Sequence, residues 1–253
     1  GLKKVYTIRQ GTTGGDNYVL PFETCFKAMG GEILGSEYVQ MGTNDWSSYL
    51  TKIINSGAEA IAGWTSSADA IAFYKAWYDS GAYENIPIIG TMHGGFSDFY
   101  IMMALKNGGY EAAVDALMEK GLYAPINWCY SIDSPENQAY IESYKADHDG
   151  SVPGGNNLAG SCYQALMLMV TALDAVGADA TPEELRAAML AADFESTEGH
   201  TAFEEGTCVA IKDVYVVKDI PLGPSYNYEV VKTYSDVMPE GYNYNVFSDA
   251  YTG

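Results

Sequence analysis

The sequence predicts an α/β fold built on a parallel sheet flanked by helices, and three observations carry that prediction. From residue 4 to about residue 120, short apolar runs of strand length alternate with longer segments whose apolar residues recur at helical spacing. The joints between them carry glycine stops and Ser, Thr, Asn or Asp starts. The strand-end loops QGTTGGDNY (10–18), WTSSAD (64–69) and TMHGGFS (91–97) are rich in glycine, hydroxyl and aromatic residues. That makeup suits the crevice beyond the carboxyl ends of parallel strands, where such folds hold ligands. Alternation of this kind implies right-handed crossovers.

The first strand is KVYTI (4–8). A glycine-rich turn follows, then a helix with Asp16 or Asn17 as N-cap, Pro21 in its first turn and Gly30-Gly31 as its stop. Val19, Phe22, Phe26 and Met29 are expected to face the sheet, with Cys25 buried on the same face. A second strand (32–39) leads to the cap signal Thr43-Asn44-Asp45 and a helix that buries Trp46, Leu50, Ile53 and Ile54 before Gly57. Residues 60–63 form a third strand; Ser66-Ser67 then cap a helix carrying Ile71, Tyr74 and Trp77, closed by Gly81. The fourth strand (86–89) runs into TMHGGFSD and two helical stretches reaching Lys120.

Beyond residue 122 the pattern changes. An extended stretch (122–130) precedes a helix opened by Ser134-Pro135, and a Gly/Pro/Asn-rich loop (150–157) precedes a long apolar helix (158–176). Thr181-Pro182-Glu183 opens another helix ending near Ala192; a hairpin turn (199–206) and strands at 214–218 and 229–234 follow. This half has apolar helix faces and few strands to cover them, so it reads as part of a lobe whose sheet is incomplete.

Composition narrows the function. The chain has 33 Asp and Glu against 13 Lys and Arg, a formal charge of −20. That argues against nucleic acid and against anionic membrane surfaces, both of which need clustered cations. The best membrane-span candidate, residues 165–172, is too short. Cys25, Cys129, Cys162 and Cys208 form no C-x-x-C pair, which removes zinc and redox-motif readings; an even count permits disulfides without requiring them. The chain opens directly on a strand of core composition, from which a beginning that was removed or lies elsewhere is expected.

No catalytic constellation is present: G-x-S-x-G, H-E-x-x-H and a paired Cys/His are all missing. Residues 11–15 could cradle a phosphate but lack the G-K-[ST] ending and the dinucleotide spacing, so a tight turn admitting a ligand to the backbone fits better. Asp147-His148-Asp149 reads as a solvated helix end rather than a metal site, and His200 has no partner at ligand spacing. No cofactor and no metal are expected.

The order of these pieces resembles the periplasmic solute-binding proteins of the branched-chain amino-acid ABC transporter type. The residues that carry the resemblance are the opening strand and turn, FKAMGGEILGSEYVQMGTNDWSSYLTKIINSGAEAI (26–61), IPIIGT (86–91), ENQAYIESYKA (136–146), CYQALMLMVTALDAVGA (162–178) and FESTEGHTAFEEG (194–206). The resemblance implies a type I periplasmic-binding-protein fold with the second lobe incomplete in this chain. Residues 1–125 would form one α/β ligand-binding lobe, 126–214 helices and a hairpin of the other, and 215–253 a return crossing and tail. It implies no enzyme but an extracytoplasmic receptor, which a lipid could anchor when full length, that closes by a hinge over an amino acid or an organic or aromatic carboxylate. ABC transporter membrane subunits would be its partners, and a second polypeptide could supply the missing half-lobe. A ligand-sensing domain of a signalling protein and an α/β enzyme stand as alternatives.

The same resemblance selects the site residues. The family's first-turn aromatic falls at Gly14 or Gly15, beside Asp16, with Tyr18 about a turn later. The position after the third strand falls at Ser66 and Ser67 beside Trp64, and that of the ligand-pairing acid falls at Met92 or His93. The acid itself is missing, so His93 becomes the polar candidate and a plain α-amino acid is put in doubt.

Overall fold

The structure is a computed structural model describing residues 1–90, 92, 98–153, 158–222 and 225–238. The chain folds as two compact units. The first holds the described residues of Gly1–Ile126 with Val216–Val231; the second holds those of Asn127–Pro153 and Asn157–Tyr215 and the stretch from Lys232 onward.

In the first unit β1 (Lys4–Gln10), β2 (Glu32–Val39), β3 (Ala60–Trp64) and β4 (Ile88–Ile89) form a parallel sheet in the order β2-β1-β3-β4. A central parallel strand is covered on both faces, and Val5, Tyr6, Thr7 and Ile8 are accordingly all buried. The two faces are unequal. Tyr6, Ile8 and Ile61 pack into a large core with α2 (Ser47–Ser56), α3 (Ser67–Asp79), α4 (Asp98–Asn107) and α5 (Glu111–Lys120), around Trp46, Phe73, Tyr74 and Trp77. Trp46 meets the Phe73 ring edge-on at 5.2 Å, and the Trp77 indole N–H donates to the Ile86 carbonyl at 2.9 Å. The opposite face is a strip of Val5, Ala60 and Ala62 against the stacked rings of Phe22 and Phe26 on α1 (Thr13–Ala28).

Helix α1 starts earlier than the sequence predicts. Its N-cap is Thr12, whose Oγ1 accepts the Gly15 N–H at 3.1 Å, so the glycines lie in the first turn and Pro21 sits inside the helix. Asp16 is therefore not the cap; it pairs with Arg9 at 2.6 Å. Cys25 and Met29 are exposed, and so is Ile54, because the small-residue strip facing α1 is too narrow to cover the flanks of that helix, while Ile54 lies off the buried Leu50–Ile53 side of α2.

In the second unit α6 (Pro135–Asp147) follows the Ser134 cap, and the buried Trp128 indole donates to Asn137 Oδ1 at 2.8 Å. α7 (Leu158–Val176) comes close there: a Cβ at Gly160 would lie 2.1 Å from the Trp128 ring. α8 (Pro182–Leu190) opens with a full Thr181/Glu184 capping box. The predicted turn at 199–206 is instead largely strand: β6 (Phe194–Ser196) pairs antiparallel with β7 (Gly199–Phe203), and the reversal falls at Thr197-Glu198, where Gly199 takes φ +83. β8 (Ala210–Leu222) is longer than expected; it pairs β7 in the second unit and β5 (Tyr123–Ile126) in the first, and β9 (Ser225–Val237) pairs β8.

Helix α7 differs most from expectation. By length and composition alone it is long and apolar enough to cross a membrane, and only 17% of its most apolar window is buried. Leu166 (62% exposed), Met169 and Val170 leave an apolar face open. All four cysteines are free; burial pushes the Cys129 thiol up to about 12, and the other three are exposed.

Candidate functional site

The carboxyl ends of β1 and β2 and the start of α3 are tied together by one buried side chain. Gln10 ends β1 with no exposed surface; its Nε2 donates to Asp69 Oδ2, and its Oε1 accepts the Ser66 N–H at 2.9 Å. The same Asp69 oxygen accepts the Gly42 N–H at 3.0 Å, which fixes the turn after β2. Sequence reasoning missed this clamp, since a neutral Gln and an acid 59 positions apart give no charge or spacing signal.

On this frame sits a polar helix start. Ser66 occupies the N-cap of α3 in extended geometry but makes no side-chain capping bond, and Ser67 is exposed in the first turn. The first turn also holds the buried Asp69 carboxylate, and the remaining N–H groups of a helix N-terminus favour an anion. Beside it Trp64 ends β3 half-buried, while Trp46, Trp77 and Trp128 are buried completely. A Cβ at Gly14 would lie 3.0 Å from the Trp64 indole, so glycine there lets the ring lie against the start of α1. The structure thus brings Gly14 to Trp64 and Ser66 to the Gln10 clamp, with Ser67 next along the helix.

The remaining expected residues divide. Tyr18 lines a cavity of about 400 Å³ with Phe22, Ala62, Gly63, Tyr123 and Val216, all within the first unit. Asp16 is engaged by Arg9. Met92 is a correction to the expected ligand wall: it has no exposed surface and belongs to the main core. Its N–H donates to the Tyr74 hydroxyl at 3.1 Å and its carbonyl accepts the Thr65 N–H. The reason is local: the strand-end backbone bonds draw this side chain under the sheet, against Gly63. His93 lies outside the described residues.

The second unit holds two polar clusters that sequence spacing did not signal. His200 lies between Asp193 (Nε2 to Oδ1, 3.0 Å) and Asp236 (Nδ1 to Oδ1, 2.6 Å), partners 7 and 36 positions away. Those hydrogen bonds, the one to Asp193 first, push its pKa up to about 9. Glu198, fully buried, pairs with Lys212 and accepts from the Ser161 hydroxyl, while Lys212 also donates to Gln164 at 2.9 Å. Among the described residues no group of three or more His, Cys, Asp or Glu could hold a metal. His148 stacks on Tyr144 at the end of α6.

Residues 1–219 match the family model described as periplasmic binding protein. The chain belongs to the periplasmic binding protein family. Its fold is similar to that of an ABC transporter substrate-binding protein from Sphaerobacter thermophilus, with TM-score 0.76 and 22% identity over 93% of this chain and 61% of that one. It is equally similar to a solute-binding protein from R. palustris in complex with 4-hydroxybenzoate, with TM-score 0.75 and 21% identity over the same shares. Leu/Ile/Val-binding protein homolog 6 of Brucella suis is 26% identical over 145 residues, 56% of this chain and 34% of the relative. The chain therefore spans about a third of that curated relative and about three fifths of the similar structures. The expected α/β fold, a parallel sheet flanked by helices, is the fold found. Family members are solute-binding proteins rather than enzymes, and membership implies a periplasmic or extracellular location.

Proposed function

We propose that this chain is the larger part of an extracytoplasmic receptor that delivers a small carboxylate to the membrane subunits of an ABC importer. The observation that carries the reading is the start of α3: an N-cap serine with no capping bond, held in place by Gln10, beside a half-buried tryptophan. A ligand carboxylate would meet the helix N–H groups and the Ser66 and Ser67 hydroxyls, and its body would lie along Trp64 and Gly14 with Tyr18 beyond. His93, assigned on sequence position alone, would face it in place of the family's acid. The complex of the R. palustris relative with 4-hydroxybenzoate and the branched-chain name of the Brucella relative support an aromatic or aliphatic carboxylate. Closure of two lobes about the crossing strands would trap it. The division is proposed as residues 1–125 for the ligand lobe, 126–214 for part of the other lobe and 215–253 for the return. A further α/β segment, carried on a second polypeptide, would cover the apolar face of α7, and a lipid anchor would hold the full-length receptor at the membrane.

Three of the four tryptophans are fully buried, so a ligand-dependent change in indole emission reports on Trp64. Titration with 4-hydroxybenzoate and with leucine is expected to give a saturable change for one of them, absent in Trp64→Phe and weakened in His93→Ala. Emission and thermal midpoint unmoved by both compounds would overturn the carboxylate reading.

A further inference from the structure

We infer that the cavity of the first unit is a separate ligand site, which takes a neutral aromatic molecule of about bicyclic size and rejects carboxylates. The inference goes beyond the receptor reading and does not rest on it. The space measures about 400 Å³. That lies within the range of small-molecule sites, about 300–1,000 Å³, and well above the roughly 150 Å³ apolar cavity known to bind benzene.

Its origin is local. One face of the sheet is packed by α2 to α5, whereas the face toward α1 carries the short side chains of Val5, Ala60 and Ala62, with Ile33 and Ile89 beside them. Ala62 and Gly63 form the floor, and Gly63 cannot be enlarged, because a Cβ there would lie 2.3 Å from the Ile8 carbonyl oxygen. α1 stands over this floor on its Phe22 ring, with Tyr18 one turn away; Tyr123 of β5 and Val216 of β8 close the far side. Three aromatic rings therefore surround a floor of small residues, an arrangement that favours stacked and edge-on contact with a flat guest.

Polarity decides the class. Among the described residues that line it none carries a charge, and Asn17 supplies the only amide side chain. A carboxylate would lose its hydration there and find no cation among the described lining residues in return. The start of α3 differs: there the backbone presents donors beside the Trp64 indole, and Tyr18 alone is shared between the two places. The two places ask for different chemistry.

The test uses the full chain and indole, with indole-3-acetate and 4-hydroxybenzoate as anionic counterparts, followed by saturation-transfer NMR and by displacement. Indole is expected to bind saturably at one site, with indole-3-acetate weaker by roughly tenfold or more. Val216→Trp fills the far wall and Ala62→Val raises the floor; each is expected to weaken indole by a similar factor, and the smaller change guards against a fold defect in the larger one. Absence of saturable indole binding overturns the proposal, and so does binding that neither variant weakens. Displacement of indole by 4-hydroxybenzoate also overturns it, because the cavity would then be part of the carboxylate site. Failure of the receptor reading shows instead in the Trp64 emission, which this assay does not use.

Discussion

Substituting alanine at the two adjacent glycines that open α1 should move stability in opposite directions. A Cβ at Gly15 would sit 2.2 Å from the Gln10 carbonyl oxygen and 3.1 Å from that residue's nitrogen and carbon. Ordinary contact begins near 3.4 Å, so the helix start must move off β1 by roughly 1 Å. Such overpacking costs about 1–3 kcal/mol. The shift also strains the bond from the Gly15 N–H to Thr12 Oγ1, a cap worth about 1 kcal/mol. Helix propensity opposes both by about 1 kcal/mol in favour of alanine. Overlap and cap win, and Gly15→Ala should lose about 2 kcal/mol. At Gly14 the propensity gain is the same, but the residue is exposed and its neighbour is the edge of the Trp64 ring at 3.0 Å, a side chain that can turn aside. Gly14→Ala should therefore be neutral or stabilising by up to about 1 kcal/mol. Urea unfolding followed through the buried Trp46 and Trp77 reads both variants in the unit that carries the change. Shifts of the same sign, or a loss below about 0.5 kcal/mol for Gly15→Ala, would refute the close-approach argument.

Two further outcomes concern the second unit. Lys212→Met strands the fully buried Glu198 carboxylate and should cost about 3–5 kcal/mol, whereas adding Glu198→Gln should recover more than half, because a neutral amide needs no counter-charge; equal losses in single and double variants by urea unfolding would sink the assignment. His200 has a folded-state pKa of about 9 against an ordinary 6.5, so its contribution is complete below pH 6.5 and disappears as pH rises through 9. The flanking carboxylates are largely exposed, which holds the effect to about 1 kcal/mol; His200→Leu should flatten the pH dependence of the thermal midpoint across that window, and an unchanged slope would show that the histidine is not clamped.

The parallel sheet was legible because its signals are local: β1 and β3 hold apolar runs, cap residues follow β2 and β3, and Thr181 with Glu184 announces α8 at three-residue spacing. The start of α1 was misread because Thr12, Gly14 and Gly15 have loop composition; what makes them helical is the backbone of Gln10 beneath, a contact made in three dimensions. Met92 shows the same limit at the site, since its position after β4 suggested a ligand wall while its backbone bonds to Tyr74 and Thr65 bury it. The polar clusters were invisible for a simpler reason: Gln10 with Asp69 and His200 with Asp236 meet across separations that no spacing rule covers. That Gly14 would come near Trp64 and Ser66 was legible because all three follow strand ends, which an open parallel sheet gathers along one edge.

The apolar face of α7 also has a colloidal consequence. A chain with a formal charge of −20 repels its own copies over about 10 Å at 0.1 M salt, and over only about 3 Å at 1 M. At low ionic strength that repulsion keeps Leu166, Met169 and Val170 on neighbouring molecules apart; concentrated salt both screens it and strengthens apolar association. The acidic surface therefore acts as the dispersant for an otherwise sticky helix. Salting-out, commonly a gentle purification step, is for this chain the condition under which it should cluster.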